Sequence, residues 1–434
     1  MVREAAVGLA LLAAGVRTGM ATSPLPYQSQ DRHLGVATCA TSVCHGSVTP
    51  TSGHDVDLNE FVTWSHDDRH AQAYTALSGE KGRAIAARLG IADARLAREC
   101  LGCHSDDVPS SRRGAGFAVT DGVGCEACHG GAERWLAMHS ARGTLYRQDL
   151  ARGMFPTADL HERASLCLSC HLGNEDKFAT HRILGAGHPR LAFELDTFLA
   201  LQPPHYHLDA DYAKRKPVHS RTQTWVQGQL AAAVREMRLL QGPLLHRSGL
   251  MPELALLDCH ACHENPLHRQ RWNRSLLTRQ LAAGSVPFPQ GHLKMAMIIA
   301  GLLDGQAAGT LVRQAQLLQD AGAQDGGRIP ASSIALEKTL SHLIDLADAK
   351  SWSREDSLRL LKQVLRLGAE GDCADYISAE QAVMAAELLM IETGLEAEHR
   401  QALDGLYRTL RDDDDYQPDR LREQMAALDA RVGH

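Results

Sequence analysis

Thirty residues of backbone, Cys100 to His129, carry one five-residue pattern twice: CLGCH at 100–104 and CEACH at 125–129. Two thiols that close on one helical turn can add across the two vinyl groups of a porphyrin, and the histidine that follows can ligate the iron. CxxCH is therefore the attachment signature of c-type haem. A segment this short cannot wrap two macrocycles separately. The haems are expected to pack against each other as well as against protein.

Cysteine arithmetic extends the pattern along the chain. Of 11 cysteines, ten fall into five groups: Cys39 with Cys44 and His45, Cys100 with Cys103 and His104, Cys125 with Cys128 and His129, Cys167 with Cys170 and His171, and Cys259 with Cys262 and His263. The first group has four residues between its thiols instead of two and needs a looped linker. Structural zinc also uses CxxC pairs, and an oxidising compartment permits disulfides. Neither explains why a histidine follows the second cysteine all five times. Five haem c groups with their irons are expected, and Cys373 is left over as a buried apolar thiol.

Histidines cluster in the same region, 20 of the 23 lying between His33 and His292. Five are proximal ligands, so 15 remain as candidates for the far side of the irons. A haem with histidine on both faces carries electrons, whereas an open face can bind a small ligand. Residues 61–89 read as helical, and His70 there can point into a haem, with His66 one turn earlier as its substitute. His139, ten residues beyond His129, reaches a neighbouring iron more easily than its own. Pro189 is expected to open a helix over 190–201, which would put His188 at a rigid helix start, suited to an axial ligand. His205, His207 and His219 cannot be ranked from spacing, and His246, His268 and His292 lie near the fifth motif.

Aromatic residues make up only 5% of the chain, a shortage that makes sense if porphyrin rings supply large buried surfaces in their place. The formal net charge of −7 becomes more negative with each haem's two propionates, which argues against nucleic acid and for a basic patch on a redox partner. Residues 1–21 carry Arg3, an apolar run from Ala5 to Val16 and the small residues Gly19 and Ala21, the pattern of a secretory signal peptide. Export to the periplasm fits, because c-type haem is attached there. Residues 22–38 read as a flexible lead-in, Asp159 as the cap of the helix that delivers the fourth motif, and Arg221 to Gln241 as an amphipathic helix with a core stripe. Beyond Leu293 the signals are helical: Ser353 with Asp356 and Ser378 with Gln381 as capping boxes, Gly368 and Gly394 as stops.

The segment GVGCEACHG at 122–130 with His139 beyond it, the stretch from Trp64 to Leu77 with His70, and the spacing of the first four motifs resemble the cytochrome c-554 family, multihaem electron carriers. The resemblance implies that His139 ligates the haem at Cys39 and Cys44, and that His70 ligates the haem at Cys167 and Cys170. It also implies a five-coordinate haem at Cys100 and Cys103, with His104 as its only protein ligand. The third haem's distal ligand is not covered by the resemblance, and His188 is the local candidate. The long first linker and the fifth haem depart from the family. GAGHPRLAFELDTF and LDCHACHENP resemble larger multihaem cytochromes.

The expected fold is mainly α: a signal peptide over 1–21, a pentahaem cytochrome c domain with closely packed haems over 22–292, and a helical bundle over 293–434. The expected function is electron transfer between periplasmic or membrane redox proteins. The rival is a haem enzyme that turns over a small nitrogen or sulfur compound at an open iron, placed at His104.

Overall fold

A computed structural model describes residues 23–50, 56–141, 143–246, 252–263, 275–282, 284–413 and 415–432. The expected signal peptide, His268 and the side chain of His246 lie outside what is described. The fold is mainly α, with no strand among the described residues, where one isolated parallel bridge joins His33 to Arg113. No helix among them is long and apolar enough to cross a membrane.

The haem-motif half is built from short helices and turns. Asp159 caps α1 (Leu160–His171) by accepting from the backbone N–H groups of His161 and Glu162. Residues 61–89 do not form one helix: helix Glu60–Asp67 stops at Asp68, whose backbone turns extended, and helix Glu80–Leu89 starts separately. The helix expected from Pro189 starts later, as α2 (Leu195–Leu201), because Glu194 supplies the cap through both carboxylate oxygens. Nor is 22–38 a loose lead-in over its described part. Glu126, the second residue of CEACH, reaches back and accepts from the backbone N–H groups of Leu34, Gly35 and Ala132 at 2.6–2.7 Å. His33, fully buried, hydrogen-bonds Asp106 at 2.7 Å.

The second half is a bundle of α3 (Arg221–Leu239), α4 (Gly291–Leu303), α5 (Gly305–Gln324), α6 (Ile329–Ala349), α7 (Arg354–Ala369), α8 (Tyr376–Thr393), α9 (Glu396–Thr409) and α10 (Pro418–Val432). The α3 stripe of Trp225, Leu230, Val234, Met237 and Leu240 is buried in a core that runs on to Val432. Helix α3 packs on α4, α6 and α8 of the bundle and on α1 and α2 of the haem-motif half. The bundle core thus begins well before Leu293, because α3 spends its apolar face on helices far ahead in the chain. Ser353 and Asp356 form the expected capping box. Ser378 does not start its helix: Asp375 is the cap and accepts from the Ser378 N–H. Gly394 ends α8 in the left-handed conformation. Gly368 ends nothing; it lies inside α7, where a Cβ would stand 2.7 Å from Met425 Cγ, so it lets α10 come close.

Candidate haem-binding centre

His104, His129, His171 and His263 each end a helix while His45 sits in a turn, and every one of the five faces a second imidazole. His45 faces His139 with ring centroids 6.0 Å apart, and His70 faces His171 at 6.2 Å. His104 faces His188 and His129 faces His205, both at 6.2 Å, and His181 faces His263 at 6.1 Å. A metal–imidazole bond of about 2 Å, the length of a zinc–histidine bond, on each side of one ion places two centroids about 6 Å apart. Direct ring contact does not account for this: the interplanar angles run from 20° to 89° while the spacing stays within 6.0–6.2 Å. Among the described residues no three of His, Cys, Asp or Glu converge as a metal cluster, so these residues fit an iron between two imidazoles better than tetrahedral zinc.

Two expectations change. His104, expected to stand alone, has His188 opposite; His188, expected opposite His129, is carried away because 186–190 fold beside Arg88 and Leu89 rather than over the third motif. His205 takes the place at His129. His292 does not reach the fifth motif: it is buried beneath α3, bonded to Gln229 at 2.9 Å. His181, which spacing did not single out, faces His263 instead.

Local structure aims the rings. The Asp68 carboxylate accepts from both the backbone N–H of His70 at 2.9 Å and its ring Nδ1 at 2.8 Å. Burial pushes the Asp68 carboxyl up, but the His70 bonds outweigh it and hold the group at about 2. The chain then passes Gly122, with φ of 72° and its Cα so near His70 that a Cβ would meet the His70 carbonyl at 2.7 Å. Nδ1 of His45 contacts Glu60 at 2.8 Å and that of His139 contacts Asp149 at 3.1 Å. His104 Nδ1 bonds the Ala73 carbonyl at 2.9 Å, and His188 Nδ1 bonds that of Pro189 at 2.8 Å. An engaged Nδ1 leaves Nε2 for a metal and fixes the ring's orientation. Burial pushes His129 down to about 3 and also lowers His171 and His205, which keeps these rings neutral and metal-competent. Phe193 stacks on His171 at 5.0 Å.

Thiols of different motifs are neighbours. Cys39 lies beside Cys125, and Cys103 beside Cys170. Cys128 lies near Cys167 and Cys170. The long first linker closes as a loop through His45 N–H to Cys39 carbonyl at 3.1 Å.

Residues 36–130 match the family model of cytochrome c554 and c-prime. That segment is similar to a family of c-type cytochromes, in which haem is held covalently, and it spans the first three of the five motifs. The fourth and fifth motifs and the bundle lie beyond it. No curated protein and no solved structure matches the chain.

Proposed function

We propose that this chain is an exported, periplasmic c-type cytochrome that carries electrons between redox partners through five covalently bound haems, each with histidine on both faces. The observation that carries this reading is the fivefold recurrence of facing imidazoles at one spacing, each pair containing a motif histidine. The irons would be held between His45 and His139, His104 and His188, His129 and His205, His171 and His70, and His263 and His181. Haem bound there supplies a reversible one-electron couple; the chain's own residues fix the rings through Glu60, Asp68 and Asp149 and exclude water from the iron's two faces. Saturation on both faces favours transfer over chemistry on a small molecule, and the rival enzyme reading has no open face among these pairs to rest on.

The neighbouring thiols suggest a route from the first motif to the third, then to the fourth and the second. His181 and His188, seven residues apart, tie the fifth to the second. A chain with a net charge of −7 and propionates besides is suited to basic partner surfaces. Electron paramagnetic resonance of the oxidised, purified protein, with haem quantified, tests the reading. Five haems that are all low-spin are expected; a high-spin ferric fraction from intact protein, or fewer haems, overturns it.

A further inference from the structure

A cavity of about 1020 Å³, counting its open mouth, separates the fourth motif from the fifth. His171 and Phe193 stand on one wall and Cys259 on another, and Glu236 and His292 also line it. Electron transfer uses neither of the last two. Glu236 comes from α3 and its Oε2 has no hydrogen-bond partner; its Oε1 lies 3.9 Å from His292 Nε2, beyond bonding distance. Behind them runs a chain of buried amides: His292 Nδ1 pairs with Gln229 Oε1 at 2.9 Å, Gln229 donates to Gln381 at 2.7 Å, and Gln381 donates to the Phe193 carbonyl at 3.1 Å. Phe193 is the ring stacked on His171. A carboxylate with an unsatisfied oxygen is thus held in an apolar cavity, 3.9 Å from the histidine that begins this chain of amides.

The other charged groups around the cavity are already paired. Glu380, from α8, binds Arg190 at 2.7 Å at the half-buried rim, and Asp413 approaches the same guanidinium at 3.9 Å. Lys294 of α4 is closed on Asp375 at 2.8 Å. Arg238, near Glu236 on α3, points the other way, to Glu337 of α6, and Arg235 reaches Ser165 of α1.

Building on the five-haem reading, we propose that Glu236 is a proton acceptor linked to reduction of the haem beside this cavity, so that the chain moves a proton with an electron at this one site. A one-electron donor, a reduced cytochrome in the cell or dithionite in a cuvette, delivers an electron that turns ferric iron ferrous. A proton from water converts the Glu236 carboxylate to the carboxylic acid, entering past Arg190 and Glu380. Charge added equals charge neutralised, and oxidation reverses both transfers. The direction follows from electrostatics: lowering the iron's charge by one removes attraction for a nearby carboxylate, raising its proton affinity. Burial already pushes this carboxyl up to about 8, within reach of neutral pH, while burial pushes His292 down to about 4 and keeps it neutral.

The test is spectroelectrochemical titration of the holoprotein from about pH 6 to about pH 10, centred on the carboxyl's value of about 8. One pH unit is a tenfold change in proton activity, so the midpoint of one haem is expected to fall by up to about 59 mV per unit. In Glu236→Gln that slope should flatten, leaving only the shallow propionate dependence shared by all haems. An equal slope in both proteins, or none in the parent, overturns the proposal. Should Glu236→Gln not yield holoprotein, redox-difference infrared spectra of the parent decide: a deuterium-sensitive carboxylic acid band must appear on reduction, and its absence refutes the proposal. Five low-spin haems with no such dependence sink this inference alone; missing or high-spin haems sink the five-haem reading instead.

Discussion

On the five-haem reading, replacing His188 with alanine opens one iron in five. The ring that faces His104 at 6.2 Å is removed, and the other four pairs are untouched. Its one recorded hydrogen bond is local, from Nδ1 to the neighbouring Pro189 carbonyl, and losing such a bond costs about 1 kcal/mol. The thioethers at Cys100 and Cys103 still hold the macrocycle, so holoprotein should form. Resonance spectra of oxidised His188→Ala should then show about one fifth of the haem as high-spin. The reduced variant should bind carbon monoxide at that one site, where the parent binds none, and added imidazole should restore the low-spin state. As a control, His207→Ala removes an exposed ring paired with Asp57 and should leave the spectrum unchanged. A His188→Ala protein that stays wholly low-spin and inert to carbon monoxide would refute the pairing with His104, and with it the argument that spacing alone identifies axial ligands.

Gly122→Ala places a methyl 2.7 Å from the His70 carbonyl at a φ of 72°; it should displace His70 and again leave about one fifth of the haem high-spin, so a parent-like spectrum counts against the role given to this turn. Glu126→Gln turns one acceptor oxygen toward backbone donors as an amide; leaving a buried group unsatisfied costs about 1–3 kcal/mol, and an unchanged thermal midpoint would contradict the clamp. Lys294→Met strands the buried Asp375 carboxylate at a cost of about 3–5 kcal/mol, much of which the added change Asp375→Asn should restore in denaturant melts. Burial pushes the Asp375 carboxyl up, but Lys294 outweighs it and leaves the value lowered. The pair's stabilisation is therefore full above the unfolded value of about 3.9 and fades as pH falls through the lower folded value. Acid melts of the parent should lose more stability there than Lys294→Met/Asp375→Asn. Protein made without haem attachment should keep a protease-resistant fragment starting near Ser220; even digestion along the chain would show that the bundle does not stand alone.

Candidate attachment sites can be read from sequence because covalent chemistry imposes a local spacing that no fold can alter. Helix caps were legible where a serine is followed three residues later by a carboxylate, as at Ser353 and Asp356, and misread where two candidates compete, as at Asp375 and Ser378. Axial partners are another matter. With a macrocycle between the two imidazoles, as proposed, His104 and His188 need share no helix, periodicity or neighbouring residue, and nothing local marks which histidine would meet which iron. One signal lay in view: His181 and His188 frame a single short segment without cysteines, and the fold turns each toward a different motif histidine. Glu126 left no trace, because a glutamate inside a haem motif reads as solvated charge until the backbone N–H groups of Leu34, Gly35 and Ala132 are seen to need an acceptor.

The two halves are stabilised by different means, and this explains their order. Between Leu77 and Ala232 the buried apolar groups form clusters of six, three and three residues, too few to hold that many short helices in place by burial alone. From Trp225 onward one continuous core runs to Val432. Helix α3 belongs to both: it packs on α1, which ends in His171, and it presents Glu236 to the cavity beside Cys259. A haem region that lacks its own core gains a rigid wall from a bundle that has one. The wall lies against the fourth and fifth motifs, the part beyond the 36–130 family match. On the five-haem reading, the fifth macrocycle needs an apolar bed beyond the matched segment, and a helix bundle docked through α3 supplies one without disturbing the clamp that Glu126 makes around the third motif.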